Sequence, residues 1–288
     1  MNYSWGAMAK LLGQRYGKAH VRVLKILRRN DAHTIKEIDV TALLEGDFAS
    51  SYTAGDNTKV VPTDTIKNTI NVFAHQHLGE EIEGFALILG DHFLNRYSQV
   101  RTADIQVAER GWNRMQIEGH LHPHSFRAAD AARKFANIVR TKESQTVRSG
   151  IRDLLILKST GSGFENYPKD EFTTLPETAD RILATSLSAT WNFAKAPTEY
   201  NAANESIIAA MLKLFANNYS PSAQTTLFQM GEAALAACGE VSQIDLAMPN
   251  KHYLTINLSP FGLENKNEVF VPTEEPHGQI EASVVRDE

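Results

Sequence analysis

The chain has 288 residues, room for one large domain or two of ordinary size at about 100–200 residues each. Its 42% hydrophobic and 22% charged residues make a composition that folds, and its formal charge of −5 leaves no global basic field to draw nucleic acid or anionic lipid. One cysteine, Cys238, excludes an intramolecular disulfide, and the apolar stretch from Trp5 to Leu12 is broken by Lys10 and too short for a signal or membrane segment. A soluble protein in a reducing compartment is therefore expected.

Strands come first along the chain. β-Branched and aliphatic residues cluster from His20 to Arg29, and Ile38, Val40, Ala42 and Leu44 fall on alternate positions. Two helices are predicted next. Ile66, Ile70 and Phe73 follow Thr63 at helical spacing, and Ile82, Phe85, Leu89 and Phe93 share one face, with Gly79 at the join. Strand periodicity returns in Asp104–Met115 and Gly119–Arg140.

The same order recurs. Ile151–Lys158 is an apolar run ending in a Ser-Thr-Gly-Ser-Gly turn, and Leu183, Leu187, Ala189, Trp191 and Phe193 lie on alternate positions of one strand. Ile207, Met211, Leu214 and Phe215 line a helix, and the next opens with Ser220 as N-cap and Pro221 as first helical residue. Ile244, Leu246 and Met248 alternate, as do His252, Leu254, Ile256 and Leu258, with Pro249-Asn250 at the corner between them. Each half thus reads strand, strand, helix, helix, strand, strand, an α+β chain made of two tandem units over 1–146 and 147–288. The open sheet edges of such units require cover or pairing with another subunit.

The familiar cofactor signatures fail. No G-x-G-x-x-G follows a strand, Gly17-Lys18 lacks the rest of a Walker A motif, and no C-x-x-C is possible. Gly161-Ser162-Gly163 reads as a turn between strands rather than a phosphate cradle. His120, His122 and His124 form an H-x-H-x-H run, the alternation that puts imidazoles on one strand face as metal ligands. Pro123 interrupts it and no carboxylate or Glu-x-x-His partner stands at ligand spacing, so a structural role is read and no metal is expected. Lys18, Thr63-Asp64 and Asn250-Lys251-His252 are polar residues in odd places, each with a bland reading. Lys18 is then an exposed charge, Thr63 or Asp64 a helix N-cap and Asn250 a turn residue.

Eight segments in register over nearly the whole length carry a resemblance. They are Tyr16-Gly17-Lys18, Tyr52 to Asn57, Thr63 to Thr69, His122 to Phe126, Leu157 to Thr160, Phe172 to Leu175, Asp180 to Leu183, and Pro249 to Tyr253. On these the sequence resembles the urate oxidase (uricase) family. The resemblance implies the tunnelling fold, in which two ββααββ units per subunit build a barrel from two subunits and two barrels stack into a homotetramer. It implies oxidation of urate by dioxygen to 5-hydroxyisourate and hydrogen peroxide with no cofactor, at sites on subunit interfaces.

By that resemblance Lys18 and Thr63 look like the family's base dyad, with His252 the third member of the relay. A lysine acts as base only after losing its proton, which desolvation favours. Phe164 matches the aromatic that stacks on the purine, and Arg181 and Gln224 the pair that grips its edges. Asp64 and Ala223 match main-chain contacts, and Asn250 the residue that, with Thr63, holds dioxygen or water above the ring. Pro62 and Ala223 depart from the family's usual small residue and valine, and the C-terminal Val285-Arg286-Asp287-Glu288 is not the peroxisomal Ser-Lys-Leu of many eukaryotic relatives, so a bacterial-type cytoplasmic location is expected. A pterin- or GTP-processing enzyme of the same fold is the alternative, and a non-catalytic purine-binding oligomer a third. Oxygen uptake with urate separates the last from the others.

Overall fold

The computed structural model describes residues 9–129 and 132–287. Residues 5–8 of the Trp5–Leu12 stretch, residues 130–131 of the expected strand Gly119–Arg140, and Glu288 lie outside it. The chain divides into two compact units, Met1–Ala128 with Phe135–Val147, and Ala129–Lys134 with Arg148–Glu288.

In the first unit, β1 (Tyr16–Arg28) and β2 (His33–Gly46) form an antiparallel pair, and α1 (Ala49–Thr53) is a single turn that sequence periodicity did not signal. The two predicted helices follow as α2 (Thr63–His77) and α3 (Ile82–Arg96). Ile66, Ile70 and Ala74 of α2, and Phe85, Leu89 and Phe93 of α3, are buried, as are the alternate residues Ile38, Val40, Ala42 and Leu44 of β2; α2 packs on β1 and α3 on β3. Burial of each such aliphatic or aromatic side chain contributes about 1.5–3 kcal/mol. β3 (Val100–Arg110) pairs with β2, and the sheet order is β1-β2-β3-β6, the last being β6 (Arg133–Arg140).

The expected pair of strands over 104–115 and 119–140 is instead four. Chain irregularity at Gly111 ends β3, and β4 (Trp112–Ile117) and β5 (His120–Ala128) form a separate two-stranded hairpin. Its turn is Glu118-Gly119, both at positive φ, the left-handed geometry that matches the twist of a tight hairpin. Two-residue periodicity runs through all four strands alike and does not mark where one stops.

In the second unit, β7 (Gln145–Lys158), β8 (Leu183–Phe193), β9 (Val241–Ala247) and β13 (Glu281–Val285) are hydrogen-bonded in that order, with α4 (Tyr200–Asn217) and α5 (Ala223–Ala237). Leu183, Leu187 and Trp191 of the sheet meet Ile207, Met211, Leu227 and Met230 of the helices in one core. Trp191 is fully buried and its Nε1 donates to Asn204 Oδ1 at 2.9 Å, so the one polar atom of the largest core side chain is satisfied.

The fourth strand of this unit is β13, not the expected 252–258. Asn250–Lys251, as β10, pairs with β8, and Tyr253–Thr255, as β11, pairs with β12 (Phe270–Pro272) in a small sheet of its own. Leu254 is exposed there, so the alternation at 252–258 marks a hairpin arm rather than a core strand. The start of α5 also differs. Ser222, not Ser220, is the N-cap, its side chain accepting from Thr225 N. Ser220 is engaged elsewhere, because its backbone bridges to Ser162 and its neighbours.

Three helix C-termini are closed by cations from outside the helix. Lys25 Nζ of β1 donates to Ala74, His75 and Leu78 carbonyls at 3.0, 2.8 and 2.7 Å, at the end of α2. Lys158 of β7 donates to Asn218 O at 2.7 Å after α4, and Arg286 to the Leu235, Cys238 and Val241 carbonyls around the end of α5. Each adds a donor to carbonyls at or just past the helix end and sets a positive charge at the negative end of its dipole.

Candidate active site

Lys18, Thr63 and Asp64 belong to the first unit, and Phe164, Arg181, Ala223, Gln224, Asn250 and His252 to the second.

Lys18 stands on β1, which begins four residues before the expected His20, and it is half-buried rather than an exposed charge. Gly17 makes the close approach possible, since a Cβ there would lie 1.8 Å from the Ala42 carbonyl oxygen. Lys18 pairs with Ala42 and Val21 with Val40, so three steps on β1 match two on β2. This is a β-bulge, with His20 at a φ of 56°. Directly opposed residues share a face, and Ala42 and Val40 are both fully buried. The extra residue therefore turns Lys18 to the same side as Val21, the side covered by α2. An unbulged strand would have put the two on opposite faces.

Thr63 is the first residue of α2, and the N-cap is Pro62, which offers no side-chain cap. This corrects the N-cap reading of Thr63 and Asp64: the Thr63 hydroxyl is not spent on the helix, and the amides of the first turn have no intrahelical acceptor. The missing Pro62 amide costs nothing there, as Pro62 O still accepts from Ile66 N at 3.1 Å. The approach to Thr63 is held by Tyr16 of β1, whose hydroxyl accepts from Val61 N at 2.7 Å. Burial raises the Tyr16 pKa, so the phenol stays protonated. With Lys25 at the far end, β1 fixes both ends of α2 relative to Lys18. The Asp64 carboxyl is held below its usual range by the hydrogen bond and charge of Lys67, with smaller help from Asn68 and Lys18.

In the second unit Phe164 and Arg181 are brought together from opposite ends of a long loop between β7 and β8. Phe164 N donates to Thr178 O at 2.7 Å and Thr178 N to Phe164 O at 3.1 Å, while Arg181 N donates to Ser162 O at 2.7 Å. The loop base is thus a short ladder. It sets the Arg181 guanidinium carbon 5.2 Å from the Phe164 ring centre, with Tyr167 stacked on that ring at 4.8 Å. Burial lowers the Arg181 pKa without discharging a guanidinium, and its Nε is buried with no partner. A buried charged donor without an acceptor is costly, and an acceptor of planar shape at this point removes the cost. Asp180 secures the corner by accepting from Thr160 Oγ1 and from Gly161 N, both at 2.8 Å.

The loop is tied to the start of α5. Gly163 N donates to Ser220 O at 2.8 Å and Ser220 N to Gly161 O at 2.9 Å. Ala223 is buried, so only its main chain is free to serve a ligand, and the alanine methyl sits in the core of the unit. Gln224 is exposed at the second position of α5. With Ser222 capping Thr225, the amides of Ala223 and Gln224 remain without intrahelical acceptors at the positive end of the helix, a position suited to an anion.

Asn250 lies in β10 opposite Thr185 rather than in a turn, and its amide donates to Gly278 O at 2.7 Å. The His252 carbonyl accepts from Thr273 N at 2.9 Å and from Thr273 Oγ1 at 3.0 Å. These backbone bonds fix both residues and leave their side chains uncommitted to structure.

The histidines of the H-x-H-x-H run are on β5. His122 and His124 rings are 4.6 Å apart, and His33 of β2 is 6.2 Å from His124. Among the described residues no group of three or more His, Cys, Asp or Glu side chains is placed to hold a metal ion, and no helix is long and apolar enough to cross a membrane.

The family model for uricase matches residues 14–139 and 147–281. The chain belongs to the uricase family. Among curated relatives, the uricase of Arthrobacter globiformis is 39% identical over 278 residues, 96% of this chain and 90% of that protein. The uricase of Dictyostelium discoideum is 38% identical over 97% of this chain and 98% of its own. The crystal structure of the Arthrobacter globiformis uricase superposes with a TM-score of 0.91 at 38% identity, over 97% of this chain and 96% of that one. A uricase from Bacillus fastidious gives 0.82 at 25% identity, over 94% and 93%. The tunnelling-fold uricase architecture is therefore that of this chain.

Sequence reasoning named none of the residues that brace these two groups. Tyr16 and Asp180 stood in the quoted segments without a role, and Lys25 and Tyr219 gave no signal, because their partners are backbone atoms 40 or more residues away.

Proposed function

We propose that this chain is a urate oxidase that converts urate, dioxygen and water to 5-hydroxyisourate and hydrogen peroxide without a cofactor. The observation that carries this is the Phe164–Arg181 pair, with its unpartnered buried Nε, in a chain that matches the uricase family nearly end to end. Urate is a planar, electron-rich anion. Phe164 supplies a flat apolar surface for it, and Arg181 and Gln224 supply in-plane donors to its edges. The amides of Asp64 and Ala223, at the starts of α2 and α5, donate to it along helix dipoles of the right sign.

Lys18, once neutral, takes a proton from urate through the Thr63 hydroxyl, with His252 continuing the relay. The urate dianion gives two electrons to dioxygen, which leaves as peroxide, and water adds at the oxidised carbon. Asn250 and Thr63 hold dioxygen and then water above the ring, where an amide N–H stabilises the developing peroxide charge. The enzyme works as a cytoplasmic homotetramer, whose barrels close by pairing of subunits. Lys18 and Thr63 of one chain there face Phe164, Arg181, Gln224, Asn250 and His252 of its neighbour.

The shared site is tested by complementation. Lys18→Met subunits, slowed in turnover, and Arg181→Ala subunits, weakened in urate binding, are co-expressed in equal amounts and assayed at urate far below the wild-type KM, where each alone gives little rate. A site that draws Lys18 from one chain and Arg181 from the next is intact in about one quarter of random pairings, so about a quarter of wild-type activity returns. No recovery would mean that both residues come from the same chain.

A further inference from the structure

We infer that Tyr219 is a positioning residue for urate binding, locking Arg181 and Phe164 in place through the backbone of the loop that carries them. This rests on the reading of Phe164 and Arg181 as the residues that hold urate. Tyr219 lies between α4 and α5, and its hydroxyl donates to Ala179 O at 3.0 Å, two residues before Arg181. The same oxygen nests against Gly163, one residue before Phe164. A Cβ built on Gly163 would stand 2.3 Å from it and 2.9 Å from Thr178 O. One hydroxyl thus meets both strands of the loop base, one residue before Phe164 and two before Arg181.

The tyrosine is itself anchored on either side. Lys158 Nζ holds the Asn218 carbonyl at 2.7 Å, and Ser220 exchanges backbone hydrogen bonds with Gly161 and Gly163. Thr226 Oγ1 donates to Ser220 Oγ, which in turn donates to Ser222 O at 3.1 Å, linking the same segment to the first turn of α5 where Gln224 sits. The segment 218–220 therefore joins the Phe164–Arg181 loop to the Gln224 helix. Tyr219 is its only side chain that reaches across to the far strand of the loop base among the described hydrogen bonds. The ring is about half exposed, so loss of the hydroxyl removes a brace without opening a core cavity.

The test is Tyr219→Phe, alone and combined with Arg181→Ala, with kinetics on urate, equilibrium binding of an unreactive purine analogue, and thermal midpoint. Loss of one bracing hydrogen bond is expected to raise KM and the analogue Kd by about three- to tenfold, while kcat and the midpoint stay close to wild type. In the Arg181→Ala background the same change is expected to have a smaller effect, since one of the two groups it positions is gone. If Arg181→Ala raises KM and Tyr219→Phe does not, or if the Tyr219→Phe effect is the same in both backgrounds, the positioning role is wrong while the site stands. If Arg181→Ala itself leaves KM and analogue binding unchanged, the assignment of the site fails and the positioning role falls with it.

Discussion

Lys18→Met and Thr63→Ala are each expected to lower the maximal rate of urate oxidation by about 10²- to 10⁴-fold, the range of general acid-base groups, with binding of an unreactive purine much less affected. The structure supplies the reason for a shared effect. The β-bulge after Lys18 turns it to the side on which α2 packs, and Thr63 opens that helix with its hydroxyl free of capping duty. Two groups in one relay fail together. The double variant is expected to be scarcely slower than the worse single one, because one break already interrupts proton transfer. Steady-state kinetics on the three proteins decide this. Losses that multiply, or a pure binding defect in Lys18→Met, would assign the base elsewhere.

Arg181→Ala is expected to act on binding instead. Hydrogen bonds to a charged group contribute about 1.5–3 kcal/mol, so urate and unreactive purines alike should bind about 10- to 100-fold more weakly. Arg181→Lys should recover little, because an ammonium lacks the planar fork that donates to two acceptors at once. Removing the guanidinium also relieves its buried, unpartnered Nε, so the free protein is expected to lose no stability. Titration calorimetry with an unreactive purine, alongside thermal denaturation, reads both quantities. Unchanged affinity would separate Arg181 from the ligand.

How much of this was legible in the sequence depends on the range over which each feature is encoded. The apolar spacing of Ile66, Ile70 and Phe73, or of Phe85, Leu89 and Phe93, is a local signal, and α2 and α3 follow from it. The alternation in β2 and β8 is local in the same way. What stayed hidden depends on partners distant in sequence. β13 is five residues long and pairs with β9 some 40 residues earlier, and nothing in Glu281–Val285 announces that partner. Ser220-Pro221 has the local form of a helix start, but Ser220 is drawn into a bridge with Ser162, and the helix begins past it.

The site divides along the same line. Lys18, Thr63 and Asn250 each carried an ordinary reading as surface charge, cap or turn residue, and their types and spacing did not choose between that and chemistry. The bulge that aims Lys18 requires the register against Ala42 and Val40, which no single strand displays. The meeting of Phe164 and Arg181, 17 positions apart, requires the Ser162, Phe164 and Thr178 backbone bonds that close the loop. Motif resemblance supplied the roles, and the geometry supplies the means by which these side chains are held.

Oxidation of urate by organic groups alone is read by adding urate to the chelator-treated, dialysed protein while following oxygen, urate and peroxide together. Sustained turnover is expected, with one oxygen consumed and one peroxide formed for each urate lost, unchanged by added metal. Absence of oxygen uptake, or uptake restored only by adding copper, iron or zinc, would contradict it and turn attention to His33, His122 and His124.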